Sequence, residues 1–185
     1  MDYKQINTPK PKSLWRLLFV IALFLVAVPF VTPAIKEKIS EVKQTGVEYL
    51  ADEEGYFKVS RIIDGDTVEL FGGIKVRYIG IDTPEKDTDY TQYECYSKEA
   101  SEENKKLLKD MRVKLVADEE GEDQYGRLLR YVYLSDGTFV NLELVENGFA
   151  TVMSIPPNLK FKDEFETAEK EAIKEKKGMW GECSQ

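Results

Sequence analysis

The stretch "IDGDTVELFGGIKVRYIGIDTPE", Ile63 to Glu85, decides how the rest of the chain reads. Two runs rich in apolar and β-branched residues, "DTVELF" and "IKVRYIGI", flank Gly72-Gly73. Two glycines supply the positive φ angles of a tight two-residue hairpin. That loop predicts Phe71 opposite Ile74, Val68 opposite Arg77 and Asp66 opposite Ile79. Opposed residues share a sheet face, as do alternate residues along a strand. Asp66 and Arg77 are therefore expected on one face as diagonal neighbours, about 7–8 Å apart at Cβ. Pro84 cannot donate to a ladder and biases Thr83 to an extended backbone. The strand is expected to stop there, with Asp82 and Glu85 projecting from its end.

Taken singly, these residues have bland readings. Asp64 and Asp66 are common turn residues, Arg77 is an ordinary strand arginine, and Asp82-Thr83-Pro84 resembles a helix start. The set on one face says more. Carboxylates with a backbone carbonyl make a hard, all-oxygen cation site suited to calcium or magnesium and not to zinc. An arginine beside it is a fork for phosphate. A further carboxylate can take a proton from water or hold it in line. These are the parts of a phosphodiester hydrolase.

Outward from this stretch, "YFKVSRII", "RVKLVAD" and "RLLRYVYL" read as further strands, and "FATVM" as a last short one. "SKEASEENKKLLKDM" reads as a helix capped by Ser97, with Ala100, Leu107 and Leu108 inward. "TFVNLELVENG" reads as a short helix ended by Gly148. The C-terminal segment reads as a helix with Phe161, Phe165, Ala168 and Ala172 on one face. The expected fold is β-barrel plus helices (α+β): an OB-like five-stranded barrel with about three α-helices.

The 185-residue chain has a formal net charge of -8 and contains no histidine. That sign opposes gripping nucleic acid with the whole surface, so phosphate contacts fall to a few placed arginines or a bound cation. The absence of histidine excludes Ser-His-Asp and Cys-His catalysis.

Residues 17–35 are uncharged and preceded by Lys4, Lys10, Lys12 and Arg16. About nineteen such residues are near the minimum that spans a bilayer. The preferred reading is a transmembrane signal anchor. A cytoplasmic tail (1–16) precedes it, a charged linker (36–55) follows it, and the globular domain (56–185) lies outside the cytoplasm. The other reading is a signal peptide cleaved near Thr32-Pro33-Ala34, which would leave the protein secreted. If the anchor places the domain outside, Cys95 and Cys183, the only cysteines, are expected to be bridged.

"DGDTVEL", "VRYIGIDTPE" and "DQYGRLLRYVY", in this order and with "YSKEAS" and "KKGMWGEC", resemble the motif series of the staphylococcal nuclease family over about residues 56–182. The resemblance implies a calcium-dependent nuclease that hydrolyses DNA and RNA, preferably single-stranded or unstructured, to 3′-phosphate ends. It implies Asp66 and Asp82 as calcium ligands, with Thr83 through its carbonyl. It implies Glu85 acting on the attacking water, and Arg77 and Arg127 on the phosphate. Asp64 reads as a turn residue or one that supports the ligands. Ser154-Ile155-Pro156-Pro157 stands where the family can offer tyrosines to a base, and Tyr90, Tyr93 and Tyr96 are the substitutes considered. The chain is expected to be a monomer. The alternatives are a tethered OB-like module that binds nucleic acid or protein without catalysis, and an envelope domain that binds calcium for stability.

Overall fold

The computed structural model of the protein describes residues 50–85 and 95–183. The expected anchor (17–35), its tail, most of the linker, and Tyr90 and Tyr93 lie outside the described residues. Among the described residues, no helix is long and apolar enough to cross a membrane.

The strands are β1 (Phe57–Ile62), β2 (Thr67–Leu70), β3 (Lys75–Tyr78), β4 (Gly80–Asp82), β5 (Arg112–Val116), β6 (Leu128–Tyr133) and β7 (Thr151–Met153). The helices are α1 (Ser97–Leu107), α2 (Val140–Glu146), α3 (Lys162–Glu175) and the four-residue α4 (Met179–Glu182). Five strands close into a barrel in the order β1-β2-β3-β6-β5, and β4 pairs with β7 outside it. The expected five-stranded, OB-like barrel is thus present. A register shift between Val59 and Arg61 marks a bulge in β1, which pairs with β5 at Phe57 and Lys58 and with β2 on both sides of the shift, from Val59 to Ile62. The parallel pairing of β3 with β6 closes the barrel. Val59, Val68, Leu70, Val76, Tyr78, Val113 and Val132 are buried, each aliphatic side chain contributing roughly 1.5–3 kcal/mol.

The hairpin differs from the expected register by one residue. Thr67 faces Arg77 and Val68 faces Val76. The Leu70 amide donates to the Ile74 carbonyl at 2.8 Å and the Gly73 amide to the Leu70 carbonyl at 3.0 Å. The loop is therefore Phe71-Gly72-Gly73, three residues long. The expected register would have set Val68 against Arg77 and Glu69 against Val76. The observed one sets valine against valine and Glu69 against Lys75, so apolar matching decides the register.

The segment expected as one strand through Ile81 is two. β3 ends at Tyr78, and the chain turns through Gly80 at φ 82° before β4 leaves the barrel. A Cβ on Gly80 would run into the Phe165 ring of α3, so both backbone angle and packing demand glycine here. The Ile79 carbonyl, freed by the break, accepts from the Asn141 side chain of α2 at 2.9 Å. That asparagine also accepts from the Val132 amide.

Helix α1 departs from expectation at its start. Ser97 is its first residue rather than its cap, Tyr96 precedes it at φ 75°, and the buried Ser97 hydroxyl has no hydrogen-bond partner among the described residues. Ala100 and Leu108 are buried as expected. The aromatic rings of Phe139, Phe161 and Phe165 surround Tyr131 at centroid distances of 4.7–6.4 Å, seating α3 on the barrel. Cys95 and Cys183 form a disulfide across a sequence separation of 88. The end of the expected linker is fastened to the barrel. Arg112 pairs with Asp52 at 2.6 Å and with Glu54 at 2.9 Å, and lies over the Tyr56 ring.

Candidate active site

The site grows from the turn that precedes β2. Asp64 Oδ1 accepts from the Asp66 amide at 3.1 Å, an Asx turn that tightens "DGD". Gly65 lies against Thr83, where a Cβ would come within 2.6 Å of the threonine Oγ1. Only glycine permits that approach. Its result is that Asp66, fully buried, accepts at Oδ2 from both the Thr83 amide (2.8 Å) and the Thr83 hydroxyl (2.9 Å). Oδ1 accepts from the Thr67 hydroxyl at 3.1 Å.

Arg77 completes this end of the barrel. Its guanidinium meets Asp66 at 2.7 Å and Asp82 at 2.5 Å, and donates to the Ile81 carbonyl at 3.0 Å. Asp66 and Arg77 do meet, though not as same-face neighbours within one hairpin. Asp66 sits before β2 begins, and the chain returns through β4 to place Asp82 and Thr83 over it.

Negative charge is crowded here. Burial first, and then the charge of Asp66, pushes the Asp64 carboxyl up to about 6. Burial, followed by Asp64 and Asp66, raises Glu85, while Arg77 works the other way. Four carboxylates thus sense one another across a site whose guanidinium cannot balance them all. Among the described residues no group of three or more acidic, cysteine or histidine side chains is drawn together as a ready cation cage. The ligand atoms that Asp66, Asp82 and a neighbouring backbone carbonyl can offer are nonetheless all oxygen, with surplus negative charge. That chemistry fits a hard divalent cation completed by a carbonyl, water or phosphate oxygens.

Arg127 arrives from a different element. In the "DQYGR" turn ahead of β6, Asp123 accepts from the Tyr125 and Arg127 amides, both at 2.9 Å, and from Arg127 Nε at 2.7 Å. Burial works against the Asp123 charge, but these hydrogen bonds outweigh it and hold its carboxyl below the ordinary value. The Tyr125 ring lies 5.5 Å from the guanidinium. A cavity of about 370 Å³ contains Arg77 and Arg127 together, with Tyr125, Leu129, Met153 and Ile155 on its walls. Ile155, from the segment where the family can offer tyrosines to a base, brings an aliphatic group to this wall beside Met153. Tyr96 packs on Phe149 at 5.5 Å, which makes it a packing residue.

The structure therefore gathers Asp66, Arg77, Asp82 and Thr83 tightly. Glu85 lies within their field, and Arg127 shares the cavity with Arg77. Sequence reasoning missed Asp123 and Asn104. The Asp four residues before Arg127, in a turn sequence, was a legible signal for the first. For the second the signal was a polar residue on the buried stripe Ser97-Ala100-Asn104 of α1.

The family described as "Staphylococcal nuclease homologue" matches residues 75–182. The chain is 36% identical to the thermonuclease of Staphylococcus hyicus over 167 residues, 89% of this chain and 94% of that protein. It is equally similar, over the same length, to the thermonuclease of Staphylococcus intermedius. It is 39% identical to endonuclease YncB of Bacillus subtilis over 127 residues, 66% of this chain and 60% of that one.

Proposed function

The chain belongs to the staphylococcal nuclease family, and from that premise we propose that it is a calcium-dependent nuclease that hydrolyses phosphodiester bonds of DNA and RNA to leave 3′-phosphate ends. The observation that carries this reading is one cavity holding Arg77 and Arg127 beside a crowded carboxylate end. Two guanidiniums in one cavity suit a phosphodiester, whose charge grows toward the transition state. Arg127 is aimed there by Asp123, and Arg77 by the Ile81 carbonyl and its acidic partners. Glu85, whose carboxyl burial and then its acidic neighbours raise from the ordinary value, acts on the attacking water as base or orienter. Calcium held by Asp66, Asp82 and the Thr83 carbonyl would supply the positive charge that neutralises those carboxylates and draws in an anionic substrate. With that charge supplied, Arg77 would be less tied to Asp66 and Asp82 and could serve the phosphate.

We also read the domain as extracytoplasmic, tethered by residues 17–35 or secreted if that segment is cleaved. The disulfide supports an oxidising compartment. Leu50 packs against the β2–β3 loop at Gly72, at the far end of β2 from Asp66.

The rival, a binding module without catalysis, draws on the ion pairs that occupy Arg77. The test incubates the full-length chain, in detergent, with single-stranded DNA and with RNA, in calcium or in excess chelator. Calcium-dependent cleavage with 3′-phosphate ends is expected. Binding without cleavage under any divalent cation supports the module instead.

A further inference from the structure

The 64–66 turn is held from behind by a buried polar link that none of the site residues accounts for. Tyr78, the last residue of β3, donates its hydroxyl to Asn104 Oδ1 at 3.0 Å. Asn104 Nδ2 in turn donates to the Asp64 backbone carbonyl at 3.0 Å. The Tyr78 amide donates to the Asp66 carbonyl at 2.9 Å. Asn104 is fully buried and Tyr78 nearly so. The turn that presents Asp66 is thus gripped at both ends, at one carbonyl by a strand amide and at the other by a helix side chain.

Such a link is costly to bury unless every partner is satisfied. An apolar residue would seat α1 on the barrel as well. An asparagine earns its place by fixing the Asp64 carbonyl, because that carbonyl lies outside the regular pairing of β2 and β3. The Tyr78 hydroxyl fixes which way the Asn104 amide faces: its oxygen accepts, so its NH₂ must point at the turn.

We propose that Asn104 is a positioning residue, which sets the Asp64-Gly65-Asp66 turn so that Asp66 meets Thr83 and Arg77. This rests on the nuclease reading for its kinetic consequence and on geometry alone for its structural one. The two hydrogen bonds of Asn104 have different jobs. The donor to Asp64 sets the turn, and the acceptor from Tyr78 orients the donor.

The test compares Asn104→Leu, Asn104→Ser and Tyr78→Phe in the full-length chain. Melting temperature, the amide NMR shifts of Gly65, Asp66 and Thr83, and kcat and KM on a single-stranded DNA oligonucleotide in calcium are measured. Asn104→Leu is expected to shift those three amides and to lower kcat by ~10-fold or more, since small misplacements of reacting groups are costly. KM should stay within about threefold, because the phosphate-binding arginines remain. Tyr78→Phe removes the group that orients the Asn104 amide but leaves its donor facing Asp64, so it should lower the melting temperature and cost kcat less than Asn104→Leu does. If Asn104→Leu does not fold, Asn104→Ser is read in its place, since it is small and polar enough to admit water. Unmoved amides with wild-type kcat in the folded Asn104 variant would overturn the proposal. So would kcat losses in both Asn104 and Tyr78 variants that merely follow their melting temperatures. If the wild-type chain cleaves nothing, the nuclease reading fails, and the amide shifts alone decide the positioning role.

Discussion

The two arginines of the cavity are held in opposite ways. Arg77 is largely buried and is fixed by three partners from two other segments: Asp66 before β2, and Ile81 and Asp82 in β4. Arg127 is more exposed and is fixed by Asp123, four residues away in its own turn. One belongs to the tertiary structure and the other to a local motif. Disturbing the first should therefore cost stability and activity together. Disturbing the second should cost activity alone.

The largest expected effects fall on the Arg77 side. Breaking the disulfide that anchors the start of α1 should remove about 4–5 kcal/mol by loop-closure entropy for a loop of this length. Urea unfolding with and without reductant measures it. Asp66→Ala should remove roughly 3–5 kcal/mol, because it strips the buried end of an ion pair, takes that acceptor from the Thr83 amide and hydroxyl, and leaves Arg77 with only Asp82 and the Ile81 carbonyl. It should also abolish cleavage. A loss under ~1 kcal/mol by urea unfolding would show that Arg77 is no more tertiary than Arg127.

Next comes Arg127→Lys. It should lower kcat by ~10²–10³ through loss of the planar fork at the phosphate. Its unfolding free energy should change by less than about 1 kcal/mol, as for a partly exposed pair within one turn whose charge lysine keeps. A large stability loss would erase the contrast.

The smallest effect is a pH dependence on the Arg77 side. Asp64 ionises near 6 in the folded protein against an ordinary 3.8. A raised folded-state value contributes stability that is fullest below the ordinary value and is lost as pH rises through about 6. Asp64→Asn keeps the acceptor of the Asx turn and removes the charge. It should raise the melting temperature more at pH 7.5 than at pH 4.5. An equal shift at both pH values would contradict the crowding of carboxylates inferred there.

The same contrast explains what the sequence made legible. The barrel strands, the disulfide partners and the Arg127 turn are local patterns: alternation, cysteine count, turn residues. The hairpin register went astray because Gly72-Gly73 was read as the whole loop. Matching Val68 to Val76 would have corrected it, since the apolar pattern was in plain view. The break at Ile79-Gly80 could not be read, because it depends on the Phe165 ring of a helix more than eighty residues away and on Asn141. Arg77 and Asp66 were paired correctly for a wrong geometric reason: they meet through chain return at Asp82-Thr83. Asn104 acts on a backbone carbonyl forty residues away, which composition does not show, whereas Asp123 acts within its own turn and was legible there.

The most direct measurement is cleavage of single-stranded DNA by the full-length chain in calcium, with Glu85→Gln alongside under identical purification. The nuclease reading predicts chelator-sensitive cleavage by the wild type. It predicts a loss of ~10²-fold or more in the variant, with the fold intact. Equal cleavage by both proteins would take Glu85 out of the chemistry. No cleavage by the folded wild type would leave this barrel a binding module.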